Sequence, residues 1–74
     1  MQSDILILFR ETPPDSEMVK AKNCLMDVDR SVLVHQKEGS QRVLLVKFSP
    51  QAISPSTLLK VLRDDGFDVT MAGG

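Results

Sequence analysis

Two side chains in this sequence are able to carry nucleophilic or soft-metal chemistry, the single cysteine Cys24 and the single histidine His35. A thiolate can attack an electrophile or bind a soft metal, and an imidazole can act as a base or as a ligand. A nucleophile needs a base within hydrogen-bond reach, however, and a stable metal site needs several converging ligands. We therefore expect no catalytic residues, with Cys24 a small apolar residue of a helix and His35 an ordinary exposed residue. A metal role for Cys24, with Met18, Met26 or His35 as a further ligand, is the alternative.

Acidic residues cluster around a Pro-Pro pair early in the chain, at Glu11, Asp15 and Glu17. Negative charge in the first turn of a helix is stabilised by the helix dipole, and proline is tolerated in that turn. We expect a helix to begin here, with Asp15 or Ser16 as its N-cap. Recognition of a basic partner surface by these acids is the alternative.

Composition limits the classes of function. The formal net charge is −1 with the two signs interspersed, and the chain has no Trp or Tyr and only 3 Phe, which argues against a nucleic-acid binder. No apolar run approaches the roughly 18 residues of a membrane span, so we expect no membrane insertion. A single cysteine excludes an internal disulfide and fits the cytoplasm. Seventy-four residues fit one small domain, over 1–74.

Hydrophobic periodicity predicts the helices and strands that position Cys24, His35 and the acidic residues. An apolar run over 5–9 indicates a strand, and the helical spacing of Met18, Ala21 and Leu25 indicates the helix that follows. Two β-rich runs, over 31–35 and 43–48, flank a polar turn that contains Gly39. The remaining elements are a helix from Ser54-Pro55 to the stop at Gly66 and a final strand over 67–71.

This order, strand–helix–strand–strand–helix–strand, predicts an α+β fold of the ferredoxin-like βαββαβ type. The four strands should form an antiparallel sheet in the order 4-1-3-2, with both helices on one face. Alternation assigns the following residues to the helix-covered face: Ile5, Ile7, Phe9, Val32, Val34, Leu44, Val46, Phe48, Phe67, Val69 and Met71.

The opposite face of the sheet is unusually apolar. Alternation places five aliphatic residues there, Leu6, Leu8, Leu33, Val43 and Leu45, inside a polar rim that includes His35, Lys47, Asp68 and Thr70. A sheet with helices on one side normally carries polar residues on its open side, and a contiguous apolar patch there usually marks an interface. We expect this face to bind a protein partner or a second copy of the chain. Harmless exposure of single aliphatic side chains is the alternative.

The sequence also resembles a known family, the heavy-metal-associated domains of copper chaperones and metal-transporting P-type ATPases. The likeness covers almost the whole chain. It is best over 54–59 (SPSTLL) and 65–69 (DGFDV), which resemble that family's last helix and its Gly-aromatic entry into the final strand. Residues 27–32 (DVDRSV) resemble the passage into its second strand, without the usual glycine. The resemblance implies the same ferredoxin-like fold.

The metal-binding cysteines of that family are missing from the corresponding loop of this sequence. Those domains bind soft metals through a Met-x-Cys-x-x-Cys loop after the first strand, and the corresponding loop here is Thr12, Pro13, Pro14, Asp15 and Ser16. The two cysteine positions fall near Pro13 and Ser16, neither of which is a soft-metal ligand. The resemblance therefore implies the fold but no metal ligands and no cofactor. Residual binding of copper or another heavy metal, or a part in metal transport, is the alternative within this family.

The end of the chain, Gly73-Gly74, points to a different class of protein. Sulfur carriers and ubiquitin-like proteins also end in Gly-Gly, where the C-terminal carboxylate is activated. Their β-grasp fold begins with a strand hairpin, whereas this chain passes from its first strand directly into a helix. A sulfur-carrier role through Gly74 is therefore kept as the alternative from another class.

Overall fold

The computed structural model describes residues 2–36, 39 and 41–72. Their elements are β1 (Ser3–Phe9), α1 (Asp15–Met26), β2 (Leu33–Gln36), β3 (Val43–Phe48), α2 (Pro55–Asp64) and β4 (Val69–Ala72). The strands form one antiparallel sheet in the order β2-β3-β1-β4. The predicted ferredoxin-like fold and its 4-1-3-2 strand order are confirmed.

A single hydrophobic core lies between the helices and one face of the sheet. Alternate residues of β1 and β3 are almost fully buried there and meet the buried residues of both helices. The core consists of Ile5, Ile7, Phe9, Met18, Ala21, Leu25, Val32, Leu44, Val46, Phe48, Ile53, Leu58, Leu62 and Val69. Because α1 and α2 both pack on this face, no element formed by the described residues covers the other face of the sheet.

Helix α2 begins and ends where local sequence signals predict. The Ser54 hydroxyl accepts a hydrogen bond from the Thr57 N–H at 3.3 Å, so Ser54 is the N-cap. At the other end Gly66 adopts φ +94°, a left-handed conformation that favours glycine. The Phe67 N–H then donates to the Leu62 carbonyl at 3.0 Å, as in a Schellman motif. This motif turns the chain toward β4.

Helix α1 begins one residue earlier than predicted, and the expected caps are wrong. Pro14 is the N-cap, with φ −61° and ψ 158°, and it provides no side-chain hydrogen bond. Its carbonyl accepts the first helical hydrogen bond, from the Met18 N–H at 2.9 Å. Asp15 and Ser16 therefore lie inside the first turn, where they cannot act as N-cap residues.

Three strands begin two residues away from their predicted first residue: β1 begins earlier, at Ser3, and β2 and β4 begin later. β2 begins at Leu33 because Val32 belongs to a turn, in which its N–H donates to the Asp29 carbonyl at 3.1 Å. β4 begins at Val69, and Phe67 lies half-buried before it. Met71 lies opposite Ile7 but is 38% exposed. Met71 therefore projects from the predicted face but is not part of the buried core, since β4 is an edge strand and lacks a neighbour on its outer side.

Some predictions fall outside the described residues. The antiparallel pairing of β2 with β3 is present, and Gly39 has φ +81°, but residues 37, 38 and 40 of the connecting turn are not described. Gly73 and Gly74 also lie outside, so the sulfur-carrier alternative stays a prediction. Within the described ranges neither helix is long and apolar enough to cross a membrane.

Candidate interaction face and the β1–α1 loop

The face of the sheet away from the helices, hereafter the open face, carries all five aliphatic residues predicted for it. Leu6 lies directly opposite Leu45, and Leu8 directly opposite Val43, in the pairing of β1 with β3. Directly opposite residues of an antiparallel pair project from the same face. Leu33 lies on the same face, on β2. The structure thus brings the five residues together on three neighbouring strands, while their role as an interface stays a prediction.

These aliphatic side chains are only partly protected from solvent. Leu33 is 48% exposed, and the other four are half-buried between their neighbours in the sheet. Their counterparts on the covered face, such as Ile7 and Leu44, are 0% exposed. In a single chain, the described residues therefore leave the open face as a partly exposed apolar surface.

Charged residues flank this apolar band at both ends. Asp4 lies opposite Lys47 at one end, next to Leu33. At the other end Arg10 and Asp68 form an exposed ion pair, with 3.6 Å between Nη1 and Oδ2. Within the part of the chain that the structure describes, Asp4 and Lys47 form no ion pair. The open face thus has one end with its charges paired and one end with its charges unpaired.

The loop between β1 and α1 corresponds to the metal loop of the domains that the sequence resembles, and it lines a groove at the surface. Phe9 and Phe67 pack edge-to-face there, with 6.1 Å between ring centroids. Within the loop Pro13 is half-buried, and the other four residues are exposed. The groove has a volume of about 410 Å³ and is lined by Phe9, Arg10, Glu11, Thr12, Pro13, Pro14, Glu17, Gly66, Phe67 and Asp68. This lining has aromatic rings, prolines and carboxylates but no thiol and no imidazole.

Cys24 is remote from that loop. It lies on α1 nine residues beyond Asp15, or about 14 Å along the helix axis. The thiol is half-buried against the core and points at the Val61 carbonyl on α2, with 3.9 Å between Sγ and O. Burial raises the pKa of the Cys24 thiol, and the nearby carboxylates of Asp65 and Asp27 raise it further. Less thiolate forms at neutral pH than at an exposed cysteine, which weakens Cys24 both as a nucleophile and as a ligand.

The proposed co-ligands of Cys24 are dispersed. Met18 is buried in the core, Met26 is exposed at the end of α1, and His35 lies on β2 beside Leu45 on the open face. Across residues 2–36, 39 and 41–72, no three His, Cys, Asp or Glu side chains are grouped so that they could hold a metal ion.

Sequence reasoning missed a small polar network between α1 and β2. The Asp29 carboxylate accepts hydrogen bonds from both the N–H and the hydroxyl of Ser31, the N–H at 2.9 Å. The Ser31 hydroxyl in turn accepts from the Ser49 N–H at 3.2 Å. The hydrogen bonds from Ser31 lower the pKa of Asp29. The Asp-x-Ser spacing is a signal for such a turn, but nothing in the sequence marks Ser49 as its partner.

Comparison with solved structures identifies a close match in fold. MerP from Ralstonia metallidurans CH34, in its oxidized form, matches with a TM-score of 0.83. The match covers 99% of this chain and 100% of the MerP chain, and 16% of the residues are identical. No family model matches the sequence, and no curated protein does.

At that level of identity the match establishes the fold and nothing further. The resemblance to heavy-metal-associated domains that the sequence indicates is confirmed as a likeness in fold over the whole chain. A single cysteine cannot provide a Cys-x-x-Cys pair, so the metal loop typical of those domains is absent. The chain has the fold of a heavy-metal-associated domain without that fold's usual pair of thiol ligands.

Proposed function

We propose that this chain is a non-catalytic interaction domain that pairs with a second copy of itself through the open face. The observation that carries the proposal is the continuous aliphatic band formed by Leu6 with Leu45 and Leu8 with Val43. Folding leaves these side chains only half-buried, and contact with another surface would bury them further. The proposal rests on that uncovered apolar area.

The size of the open face limits the affinity. Four strands about 4.8 Å apart and about 20 Å long give an outline of about 400 Å² on each copy. Two such faces fall below the roughly 1,200 Å² of total buried surface that stable complexes reach. Much of the gain from burying aliphatic surface is also offset by lost translational and rotational freedom. We therefore propose a weak pairing, with a dissociation constant in the micromolar range or above.

Metal binding and catalysis are less well supported. The loop at the head of α1 has Pro13 and Ser16 where the related domains have thiols. The one thiol, Cys24, has a raised pKa and lies beside the carboxylates of Asp27 and Asp65. A location in the cytoplasm stays a prediction from the single cysteine.

Sedimentation velocity over a concentration series, from micromolar to about 1 mM, tests the proposal. The wild type should shift from monomer toward dimer, and Leu8→Lys and Leu45→Lys should each remain monomeric. Val19→Lys is the matched control: Val19 is 54% exposed on α1, away from the sheet, so this variant should dimerise like the wild type.

Two outcomes would contradict the proposal. A wild type that remains monomeric to about 1 mM would exclude self-association. Loss of dimerisation in Val19→Lys, with Leu8→Lys unaffected, would place the interface on the helices.

A further inference from the structure

The distribution of charge on the open face bears on how two copies pair. This inference rests on the proposed self-association. The open face has an aliphatic middle on β1 and β3, an end with the Arg10–Asp68 ion pair, and an end where Asp4 and Lys47 lie opposite each other without an ion pair. Among the described residues, the Asp4–Lys47 end is therefore the one whose charged side chains are not held in an ion pair.

We infer that two copies pair about a two-fold axis that runs parallel to the strands, between β1 and β3. Rotation about such an axis places β1 of each copy over β3 of the other and keeps each residue at its own level along the strands. Leu6 then lies over Leu45 of the second copy, as the two are already level in the sheet. By the same register, Asp4 of each copy lies over Lys47 of the other.

The dimensions of packed sheets allow this contact. Two sheets packed face to face lie about 10 Å apart, with their strand directions within about 30° of each other. A carboxylate and a lysine projecting from facing sheets can span that gap together. The two-fold symmetry produces the contact twice, so a pair of copies satisfies all four charges at this end.

An axis that runs across the strands, the other simple arrangement, gives Lys47 no ion pair with the second copy. A two-fold axis across the strands, at the level of Ile7 in the middle of the band, would place Asp4 over Arg10 of the second copy. Arg10 already has Asp68 as its partner at 3.6 Å, and Lys47 would then gain no acid. Charges at the rim of an interface mainly select orientation and partner, so Asp4 and Lys47 act as specificity determinants and the aliphatic band supplies the affinity.

A mixing experiment with charge-reversed variants tests the axis. Alone, Asp4→Lys should self-associate at least about tenfold more weakly than wild type at low salt, because it faces lysine with lysine. Lys47→Glu should be weakened similarly, because it faces acid with acid. An equimolar mixture of these two variants should form a heterodimer about as readily as the wild type forms its dimer. Sedimentation equilibrium measures the association, and native mass spectrometry identifies the heterodimer by mass.

The control mixture is Asp4→Lys with Arg10→Glu. It combines the same net charges as the first mixture, so a general attraction between oppositely altered chains would act equally in both. The axis along the strands predicts only partial recovery in this mixture, because one of its two contacts still faces lysine with lysine. The axis across the strands predicts full recovery here and only partial recovery in the first mixture. Thermal unfolding followed by circular dichroism should show all three variants folded, since none of the three positions lies in the core.

Each outcome separates the inference from the proposed function. Full recovery with Lys47→Glu and only partial recovery with Arg10→Glu supports the axis along the strands. The reverse result overturns this axis and leaves self-association standing, as does finding that the wild type and all charge-reversed variants dimerise equally well. A wild type that remains monomeric overturns both.

Discussion

The two faces of the sheet are built from the same residue types but differ in how far their side chains are exposed to solvent. On β1, Ile5 and Ile7 are no more than 2% exposed, whereas Leu6 and Leu8, which alternate with them, are only half-buried. The hydrophobicity of the side chains is nearly the same on both sides. The difference arises because both helices pack on one side. The aliphatic surface on the open face therefore lies outside the core, and it is the surface that the proposed self-association would bury.

The comparison is tested most severely by placing a lysine on each face of β1. Ile7→Lys should prevent folding, because a charge in the apolar core costs more than the few kcal/mol that hold a domain this small together. Leu8→Lys, one residue further on, should leave the fold intact because its side chain can reach solvent. Circular dichroism and amide-proton NMR spectra distinguish the two. Unfolding by Leu8→Lys would show that the faces are assigned backwards.

Truncation to alanine should give a smaller difference in the same direction. Leu62 is 0% exposed in the core between α2 and the sheet, so Leu62→Ala should lower the free energy of unfolding by about 2–5 kcal/mol. Leu33 is 48% exposed on the open face, so Leu33→Ala should change it by less than about 0.5 kcal/mol. Urea unfolding of dilute, monomeric protein measures both. A loss below about 1 kcal/mol for Leu62→Ala would contradict the assignment of the α2 core face.

Much of this architecture follows from short-range patterns. Period-two alternation on β1 and β3 predicts both faces of the sheet, because one register places every side chain. The Ser54-Pro55 start and the Gly66 stop predict α2, because each signal acts through hydrogen bonds to neighbouring residues. The five residues of the open face are predictable for the same reason.

Other features could not be predicted from the sequence. Some depend on contacts between residues that are distant in the chain, and one depends on a choice between neighbouring residues that could each begin a helix. The start of α1 was predicted wrongly because Pro14, Asp15 and Ser16 are all compatible with a helix N-terminus. The network from Asp29 through Ser31 depends on Ser49, which lies 18 residues beyond Ser31. The edge-to-face packing of Phe9 with Phe67 joins opposite ends of the sequence, so no local pattern reveals the groove beside it.

The smallest effect is expected at the β1–α1 loop, at the edge of the covered side. In an anaerobic titration against a competing chelator, the wild type should hold no stoichiometric Cu(I), Zn or Hg more tightly than a free surface thiol does. The reason is that the loop has no thiol, and the raised pKa of Cys24 keeps that side chain mostly protonated.

The double variant Pro13→Cys with Ser16→Cys is the positive control for this titration. It creates a Cys-x-x-Cys pair at the start of α1, where the helix dipole lowers the pKa of a thiol, so it should gain one tightly bound equivalent. Binding by this variant and not by the wild type would extend the likeness to heavy-metal-associated domains from the fold to the geometry of the loop. One equivalent held tightly by the wild type and released on Cys24→Ala would instead place a metal site on α1. The covered side of the molecule would then carry the function that we assign to the open face.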